Sequence, residues 1–477
     1  MIYFNKEKLR DKIYACWIGK NIGGTLGGPY EGHSEFLDVQ GFITEKGEPL
    51  PNDDLDLQLV FLCAVEELGP AGINPASLSE YWLNYIPPAW NEYGVGKSNL
   101  RAGIPAPLSG ELFNEKWKTS NGAWIRSELW ACLTPGYPEL AAKFAFADAC
   151  VDHGLAEGTH AEIFTTYLEC NAFFNPDIRG GIEAALKEIP QDSRVAKTIR
   201  LAMECYDKGM TLKDAREAVV EETKDMGWFQ APINIGFVIL GLMYGEGDFK
   251  KSMLATVNCG DDTDCTAATV GAYLGILYGM DGIPKDWLEY IGDDIINIAV
   301  DKSYRKIPKT CTELTDRIMN LIQPAFRSFK FTANWTEGDH QAERGYEENW
   351  FLERTIRSPF NHRTKYCYDV PCSPFLYAIV CFEKEPFMKA NEELEVKVVL
   401  KNGSKEQVNG QVNLLLPEGF SCDYPHNLQI ARDMDEDCIW KATVRSGDVV
   451  NHINRIIMDI TIAGRPLPAL IPINIFG

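Results

Sequence analysis

The spacing of apolar residues changes once along the 477-residue chain, and this change limits what the chain can fold into. Up to about residue 330, apolar residues recur at the period of an α-helix. From residue 373 onwards the period is two, with turn signals between the apolar runs, which is typical of β-strands. We therefore predict an all-α domain over 1–330, an irregular connecting segment over 331–372 and a small β-sandwich of immunoglobulin type over 373–477.

The net charge of the chain disfavours one class of partner. With 46 Lys and Arg against 68 Asp and Glu, the formal net charge is -22. Such a field repels phosphate backbones, so we expect no nucleic-acid partner. The chain starts with charges where a signal peptide needs an apolar run, and no apolar stretch reaches the roughly 20 residues of a membrane span. The 14 cysteines include no CxxC pair. We expect a cytoplasmic protein with reduced thiols and no membrane partner, and the oligomeric state stays open.

Acidic residues concentrate at two predicted helix starts, in PNDDLDLQL and in GDDTDCTAATVGAYLGILYG. Capping of free helix N–H groups explains one acid at such a start. Carboxylates packed this closely repel one another unless they are protonated or bridged by a cation. We therefore predict that the two starts meet and form a cage of carboxylate and amide oxygens around Mg²⁺, as one or two ions, with Mn²⁺ as a further option. Asp56 lies one residue off this cage and is expected to face solvent.

A third stretch, IGKNIGGTLGGPYE, predicts a glycine-rich helix followed by Glu31. A glycine-rich helix can pack closely on a neighbour or a ligand. The sequence pattern predicts no strand before it, so a dinucleotide-binding fold is not indicated. On its own, Glu31 is equally consistent with a surface acid.

Taken together and in this order, GGTLGGPYE, NDDLDLQL and GDDTDCTAATVGAYLGILYG resemble the motifs of the ADP-ribosylglycohydrolase family. Two weaker similarities, SNGAWIR and DACVDHGLAEG, lie between them. The resemblance covers about residues 10–300. It implies an all-α fold with a binuclear Mg²⁺ site in a cleft.

The resemblance also implies roles for single residues. Glu31 and Asp54 are the predicted catalytic residues, with Glu31 handling a proton. The predicted metal ligands are Asn52, which offers its amide oxygen, and Asp53, Asp54, Asp262 and Asp264.

Three further residues are candidates for binding the substrate: Asn121, Arg126 and His153. Arg126 suits phosphate or carboxylate groups, and a surface salt bridge is its structural alternative. His153 follows an apparent helix end, where an interaction with the helix dipole is at least as common as a place in a cleft.

The chain departs from the family pattern at several positions. Asn52, Leu55 and Cys265 replace threonines, and Gly24 replaces an acidic residue. A thiol is a poor Mg²⁺ ligand, so a single-metal site or a different metal stays open. Asp261 replaces a glycine and is expected to add a carboxylate behind the ligands.

The resemblance implies a metal-dependent glycosyl hydrolase that cleaves the N- or O-glycosidic bond of an ADP-ribosyl or related furanosyl group. Its substrate would be small-molecule or protein-attached ADP-ribose, and the basic Lys97 and Arg101, in a predicted loop, could meet the phosphates. The predicted β-sandwich, by analogy with carbohydrate enzymes, leaves open a furanoside hydrolase. The changes at Leu55 and Cys265 leave open a non-catalytic, metal-dependent ligand-binding protein of the same fold.

Overall fold

The computed structural model describes residues 2–47, 49–301, 303–304, 306–339, 341–342, 360, 363–373, 375–432 and 437–477. Helices fill the first two thirds of this part of the chain. In chain order the α-helices are α1 (Lys6–Gly27), α2 (Asp53–Leu68), α3 (Pro75–Tyr85), α4 (Asn91–Arg101), α5 (Leu108–Glu111), α6 (Glu128–Leu133), α7 (Pro138–His153), α8 (Glu157–Ala172), α9 (Ile178–Leu186), α10 (Arg194–Asp207), α11 (Leu212–Thr223), α12 (Ala231–Gly245), α13 (Phe249–Val257), α14 (Thr263–Tyr278), α15 (Lys285–Ile291) and α16 (Cys311–Ser328).

Strands form the first element and the last third of the chain. They are β1 (Ile2–Asn5), β2 (Ala333–Thr336), β3 (Gln341–Ala342), β4 (Tyr366–Ser373), β5 (Leu376–Phe382), β6 (Glu393–Asn402), β7 (Val408–Leu415), β8 (Ser421–Asp423), β9 (Asn427–Ile430), β10 (Cys438–Arg445), β11 (Ile453–Ile462) and β12 (Ala469–Phe476). The predicted order of an all-α domain followed by β-sheets is confirmed.

Glycines let α1 lie directly against α14. A Cβ on Gly23 would overlap the backbone of Ala267, and Gly19 and Gly27 make the same approach one turn before and one turn after. The hydroxyl of Thr263 donates to the carbonyl oxygen of Gly27 over 2.9 Å, which fixes the end of α1 beside the start of α14. Because the two helices run in opposite directions, the segment that follows α1 is brought to the acidic start of α14.

The end of the chain forms two antiparallel sheets. Their strand orders are β4-β5-β6-β10-β8 and β12-β11-β7-β9. Apolar residues from both sheets, such as Val398 and Ile473, belong to one hydrophobic core, as expected for a sandwich. Strands β6, β7 and β11 alternate buried and exposed residues along most of their length, in agreement with the period of two in the sequence.

The sandwich shares its core with the helical domain. Ile104, Leu108 and Leu112, from the segment around α5, lie in the same apolar core as the sandwich strands. The backbone N–H of Asp369 donates to the carbonyl oxygen of Ala106 over 3.3 Å. These contacts therefore hold the segment that follows α4 against the β-sheets.

The segment predicted as irregular, 331–372, contains regular structure. Strand β2 pairs in parallel with β1, and β3 pairs antiparallel with β1, so the start of the chain is joined to the end of the helical domain. Strand β4 begins at Tyr366, before the predicted sandwich boundary at residue 373. Residues 343–359 of that segment lie outside the described residues. Within the described residues, none of the helices combines the length and the apolar character needed to cross a membrane.

Candidate metal and catalytic site

The two acidic helix starts meet in the structure. The ligand atoms of Asp54, Asp264 and Cys265 all lie within 4.8 Å of one another, and so do those of Glu31, Asp262 and Asp264. Asp264 belongs to both groups and therefore links the start of α14 to α2 and to the end of the α1 segment. We refer to Glu31, Asp53, Asp54, Asp262 and Asp264 as the carboxylate cluster.

The geometry of the carboxylate cluster fits a cation. Among the described residues, Oδ2 of Asp54, Oδ1 of Asp262 and Oδ1 of Asp264 are buried and accept no hydrogen bond. Burial, and then the charge of Asp264, raises the pKa of Asp54 and of Asp262 well above the usual range. Buried carboxylate oxygens without donors are costly, and a hard divalent ion with oxygen ligands would satisfy them.

A buried lysine, Lys20, lies near the cluster. The ammonium of Lys20 is fully buried and lies 2.7 Å from Oε1 of Glu128. Gln58 joins Glu128 to the cluster, because its amide donates to Oε2 of Glu128 over 2.8 Å and to the carbonyl oxygen of Asp54 over 3.1 Å. Burial lowers the pKa of Lys20, but the charges of Glu128 and then Asp54 outweigh this and raise it overall. Since Glu128 already pairs with this lysine, the cluster keeps an excess of negative charge.

Asn52 begins α2 as its N-cap. Its Oδ1 accepts the backbone N–H of Asp54 over 3.0 Å, so the oxygen predicted to bind a metal serves the helix end. Its amide nitrogen lies over Gly24, where a Cβ would overlap it. Asn52 therefore takes the space that a larger residue at position 24 would need.

The two remaining acids of the cluster face a cavity. Burial, and then the charge of Asp264, raises the pKa of Asp53 to about 6. Glu31 lies directly after a short 3-10 helix, Gly28–Tyr30. Partial burial, then Asp264 and Asp53, raise the pKa of its carboxyl to about 7. A carboxyl with a pKa near neutrality suits proton transfer.

The cavity beside the cluster has a volume of about 260 Å³. One part of its lining is acidic and another is aromatic. Its lining residues are Glu31, Asp53, Asp54, Trp90, Asn91, Glu92, Tyr93, Ile125, Trp228, Phe229, Asp262, Asp264 and Cys265.

The three residues predicted to bind substrate lie behind this cavity and do not line it. The amide of Asn121 donates to Oδ2 of Asp262 over 2.6 Å and therefore holds that carboxylate. Arg126 is fully buried between Asp148 at 2.8 Å and Asp152 at 2.7 Å. Ile125, the residue before Arg126, does line the cavity, because the short 3-10 helix at 124–126 directs successive side chains to different sides.

His153 also points away from the cavity. It ends α7, as expected, and Gly154 follows with a φ of 58°. Its Nε2 lies 3.2 Å from the hydroxyl of Ser120, and its Nδ1 lies 2.9 Å from Oδ1 of Asp152. His153 is therefore a buried partner in the structure around Asp152.

Two other expectations need correction. Asp56 does not face solvent: it is fully buried, and its Oδ2 accepts the backbone N–H groups of Ile298 and Ala299 at 2.6 Å each. Lys97 and Arg101 lie on helix α4 and not on a loop. The ammonium of Lys97 is buried and donates to backbone carbonyls of residues 86–88, so it is not available to a phosphate.

Several lining residues could not be assigned from the sequence alone. Trp90 and Glu92 flank the start of α4, and Trp228 and Phe229 form the turn before α12. Aromatic residues at a helix start, in AWNEYG and GWFQAP, are a signal that the sequence does carry. That signal is weak, because most aromatic residues belong to the core.

The sequence also matches a known protein family. Residues 5–323 match the sequence model of the family described as ADP-ribosylglycohydrolase. The chain belongs to this family. The match covers the whole of the carboxylate cluster and ends before the β-sandwich.

The individual proteins that resemble this chain do so over a short part of the sequence or at low identity. The chain is 43% identical over 64 residues to ADP-ribosylarginine hydrolase Tri1 of Serratia proteamaculans, a match that covers 13% of this chain and 18% of that protein. The matched part thus spans less than a fifth of that curated relative. An uncharacterized protein of Archaeoglobus fulgidus is 24% identical over 305 residues, with 60% of this chain and 93% of that protein covered. A solved structure described as an ADP-ribosylglycohydrolase-related protein complex covers 67% of this chain and 99% of that chain, with a TM-score of 0.43 and 21% identity.

Proposed function

We propose that this protein is a metal-dependent glycohydrolase that cleaves the N- or O-glycosidic bond of an ADP-ribosyl or related furanosyl group. The observation that carries the proposal is the meeting of Asp54 and Asp264 from two distant helix starts, with carboxylate oxygens that lack donors. Membership of the family and the partial similarity to an ADP-ribosylarginine hydrolase support the same reaction.

The metal would be Mg²⁺, as one or two ions, or Mn²⁺. Asp54, Asp262 and Asp264 would hold it, with Asp53 and Glu31 at the cavity side. A divalent ion held there would orient sugar hydroxyls and polarise water. Asn52 and Cys265 are secondary candidates, since the oxygen of Asn52 caps α2 and a thiol is a poor partner for Mg²⁺.

The side chains of this protein contribute the proton transfer and the charge. Hydrolysis at C1 of a furanose passes through a transition state that resembles an oxocarbenium ion. The negative field of the carboxylate cluster stabilises positive charge that develops on the sugar ring. Glu31, at the open side of the cluster, is placed to take a proton from the attacking water or to give one to the leaving group.

One observation favours the second candidate, a hydrolase of plain furanosides. Among the described residues, the cavity lining contains six acids and neither lysine nor arginine. A diphosphate would normally meet basic residues in its site. A furanosyl glycoside without phosphate avoids the repulsion from these acids.

The test is metal-dependent release of sugar from a panel of ADP-ribosylated compounds and of furanosides without phosphate. We expect turnover of at least one set that stops with a chelator and in Asp264→Ala. Asp214→Ala, which removes an exposed acid from the start of α11, is the matched control and should keep full activity. Turnover confined to the first set supports the ADP-ribosyl reaction, and turnover confined to the second supports the furanoside reaction. Metal-dependent ligand binding without turnover of either set would overturn the proposal in favour of a binding protein.

A further inference from the structure

Asp261 makes contacts that set it apart from the neighbouring aspartates. Its Oδ1 accepts the backbone N–H of Phe229 over 3.1 Å and the side-chain amide of Asn234 over 2.9 Å. The side-chain Oδ1 of Asn234 in turn accepts the backbone N–H of Asp262 over 3.3 Å. The carboxylate of Asp261 therefore joins the turn before α12 to the start of α14.

The backbone at both ends of this contact is in the left-handed region. Phe229 has a φ of 69° and Asp261 has a φ of 63°. For a bulky residue such as phenylalanine this conformation is costly, and it persists only where surrounding contacts hold it. The hydrogen bond to Asp261 is one contact that can hold Phe229 in this conformation.

The turn held in this way forms one wall of the cavity. Trp228 and Phe229 both line it, and their ring centroids lie 5.0 Å apart. The side chain of Trp228 is 43% exposed, and that of Trp90, another lining residue, is 45% exposed. Exposed aromatic rings beside a group of acids can stack on a planar group of a ligand.

We propose that Asp261 is a positioning residue, which holds the Trp228–Phe229 turn as the wall of a subsite for a planar aromatic group of the substrate. The inference rests on the proposed function for the identity of the reacting sugar. The backbone contacts of Asp261 do not depend on its side chain: its N–H donates to His33 over 2.6 Å, and its carbonyl accepts from Gly32 over 2.9 Å. Removal of the carboxylate therefore leaves these two backbone contacts in place and takes away only the acceptor that Phe229 and Asn234 share.

Two substitutions separate these contributions. Asp261→Gly removes the acceptor and suits a positive φ, so the variant should fold. Asp261→Asn keeps an acceptor oxygen for Phe229 and Asn234, and asparagine also tolerates the left-handed region. We expect the first variant to lose the subsite and the second to rescue it.

The measurement uses the full-length protein and a matched pair of ligands, the 4-nitrophenyl and the methyl glycoside of one furanose. The nitrophenyl ring quenches tryptophan fluorescence, so binding is measured without turnover. The difference in quenching between the wild type and the Trp228→Phe variant is the part of the signal that comes from Trp228. We expect Asp261→Gly to weaken binding of the nitrophenyl glycoside about tenfold, as one lost stacking contact would. Binding of the methyl glycoside and the Mg²⁺-dependent rise in melting temperature should change by less than twofold.

Each outcome decides the inference. Unchanged nitrophenyl binding in Asp261→Gly, equal weakening of both glycosides, loss of the Mg²⁺ effect, or failure of Asp261→Asn to rescue would overturn it. Wild-type protein that binds the nitrophenyl ring through Trp228 but cleaves nothing would refute the proposed function and leave this inference intact.

Discussion

The thiol of Cys265, in the first turn of α14, donates to Oδ1 of Asp54, in the first turn of α2, over 3.2 Å. The sulfur belongs to the same group of ligand atoms as Asp54 and Asp264. A soft donor thus lies in a group whose other members are hard oxygens, and this combination should influence which metal is bound.

Replacement of that sulfur by oxygen should change metal preference. We expect Cys265→Ser to weaken Cd²⁺ binding by about tenfold and to maintain or tighten Mg²⁺ binding, because a hydroxyl is a harder ligand. The rise in melting temperature during metal titration measures both affinities. Cys63→Ser, at a buried cysteine of α2 whose thiol donates to the backbone carbonyl oxygen of Lys306, is the control and should leave both affinities unchanged. Equal Cd²⁺ affinity in Cys265→Ser and wild type would contradict a place for the sulfur at the ion.

The contact between Asn121 and Asp262 should matter for metal binding although Asn121 does not line the cavity. We expect Asn121→Ala to lower metal affinity about 10–100-fold, because partners that orient ligands have effects of this size. Asn114→Ala is the matched control: it also removes a buried amide, but that amide donates only to the backbone of Gly110 and Asp152. Both variants should lose stability, and only the first should lose metal affinity in the titration. Similar metal affinities in the two variants would rule out the orienting role.

The contact between α1 and α14 predicts an intolerant glycine. Gly23→Ala should lower the free energy of unfolding by about 3 kcal/mol, because its Cβ would overlap the backbone of Ala267 and the helices would have to separate. Urea unfolding followed by circular dichroism measures the change. In Gly41→Ala the new Cβ meets no atom within 4 Å, and this variant should unfold like the wild type. Equal midpoints for the two variants would contradict the packing argument.

The buried carboxyl of Glu92 should make stability depend on pH. Burial raises its pKa from 4.5 to about 7, with opposing effects of His153, which lowers it, and Asp152, which raises it. Because the folded state binds this proton more tightly than the unfolded state, its contribution is complete below about pH 4.5 and is lost as the pH rises to about 7. The wild type should therefore lose roughly 3 kcal/mol across this range relative to Glu92→Gln.

The role of Glu92 is checked by comparing how the free energy of unfolding varies with pH in the wild type and in Glu92→Gln. Urea unfolding at intervals from pH 4.5 to 8 gives both curves, and other titrating groups cancel in their difference. Glu80→Gln, at an exposed position of α3, should run parallel to the wild type. A curve for Glu92→Gln that is also parallel to the wild type would show that folding does not raise the pKa of Glu92.

Local signals explain why part of the site was predictable. Capping and helix-start patterns depend on neighbours in sequence, so the starts at Asn52 and Asp262 and the glycine contacts of α1 could be inferred before the fold was known. The repulsion among the acids at these starts indicated that the two starts meet around a cation, and the resemblance to a family supported this.

Other features depend on which elements pack against one another, and the sequence carries no direct signal for this. The pairing of Arg126 with Asp152 and the burial of Asp56 against the 298–299 backbone are set by packing between elements distant in sequence. The aromatic wall at Trp228 rests on a hydrogen bond to a residue more than thirty positions away. Sequence periodicity cannot identify such partners.

The β-sandwich supports one side of the cavity through the core that it shares with Ile104, Leu108 and Leu112. Helix α4 runs from the cavity wall at Glu92 to this segment, so one side of the cavity is anchored in the sheets. A protein shortened after α16 would expose these aliphatic side chains to water. The segment after α4, on that side of the cavity, would lose its packing against the sheets. The smallest fragment that we expect to fold with an intact cavity therefore includes the helical domain and the β-sandwich. Insertions between the two must preserve the packing of α5 on the sandwich.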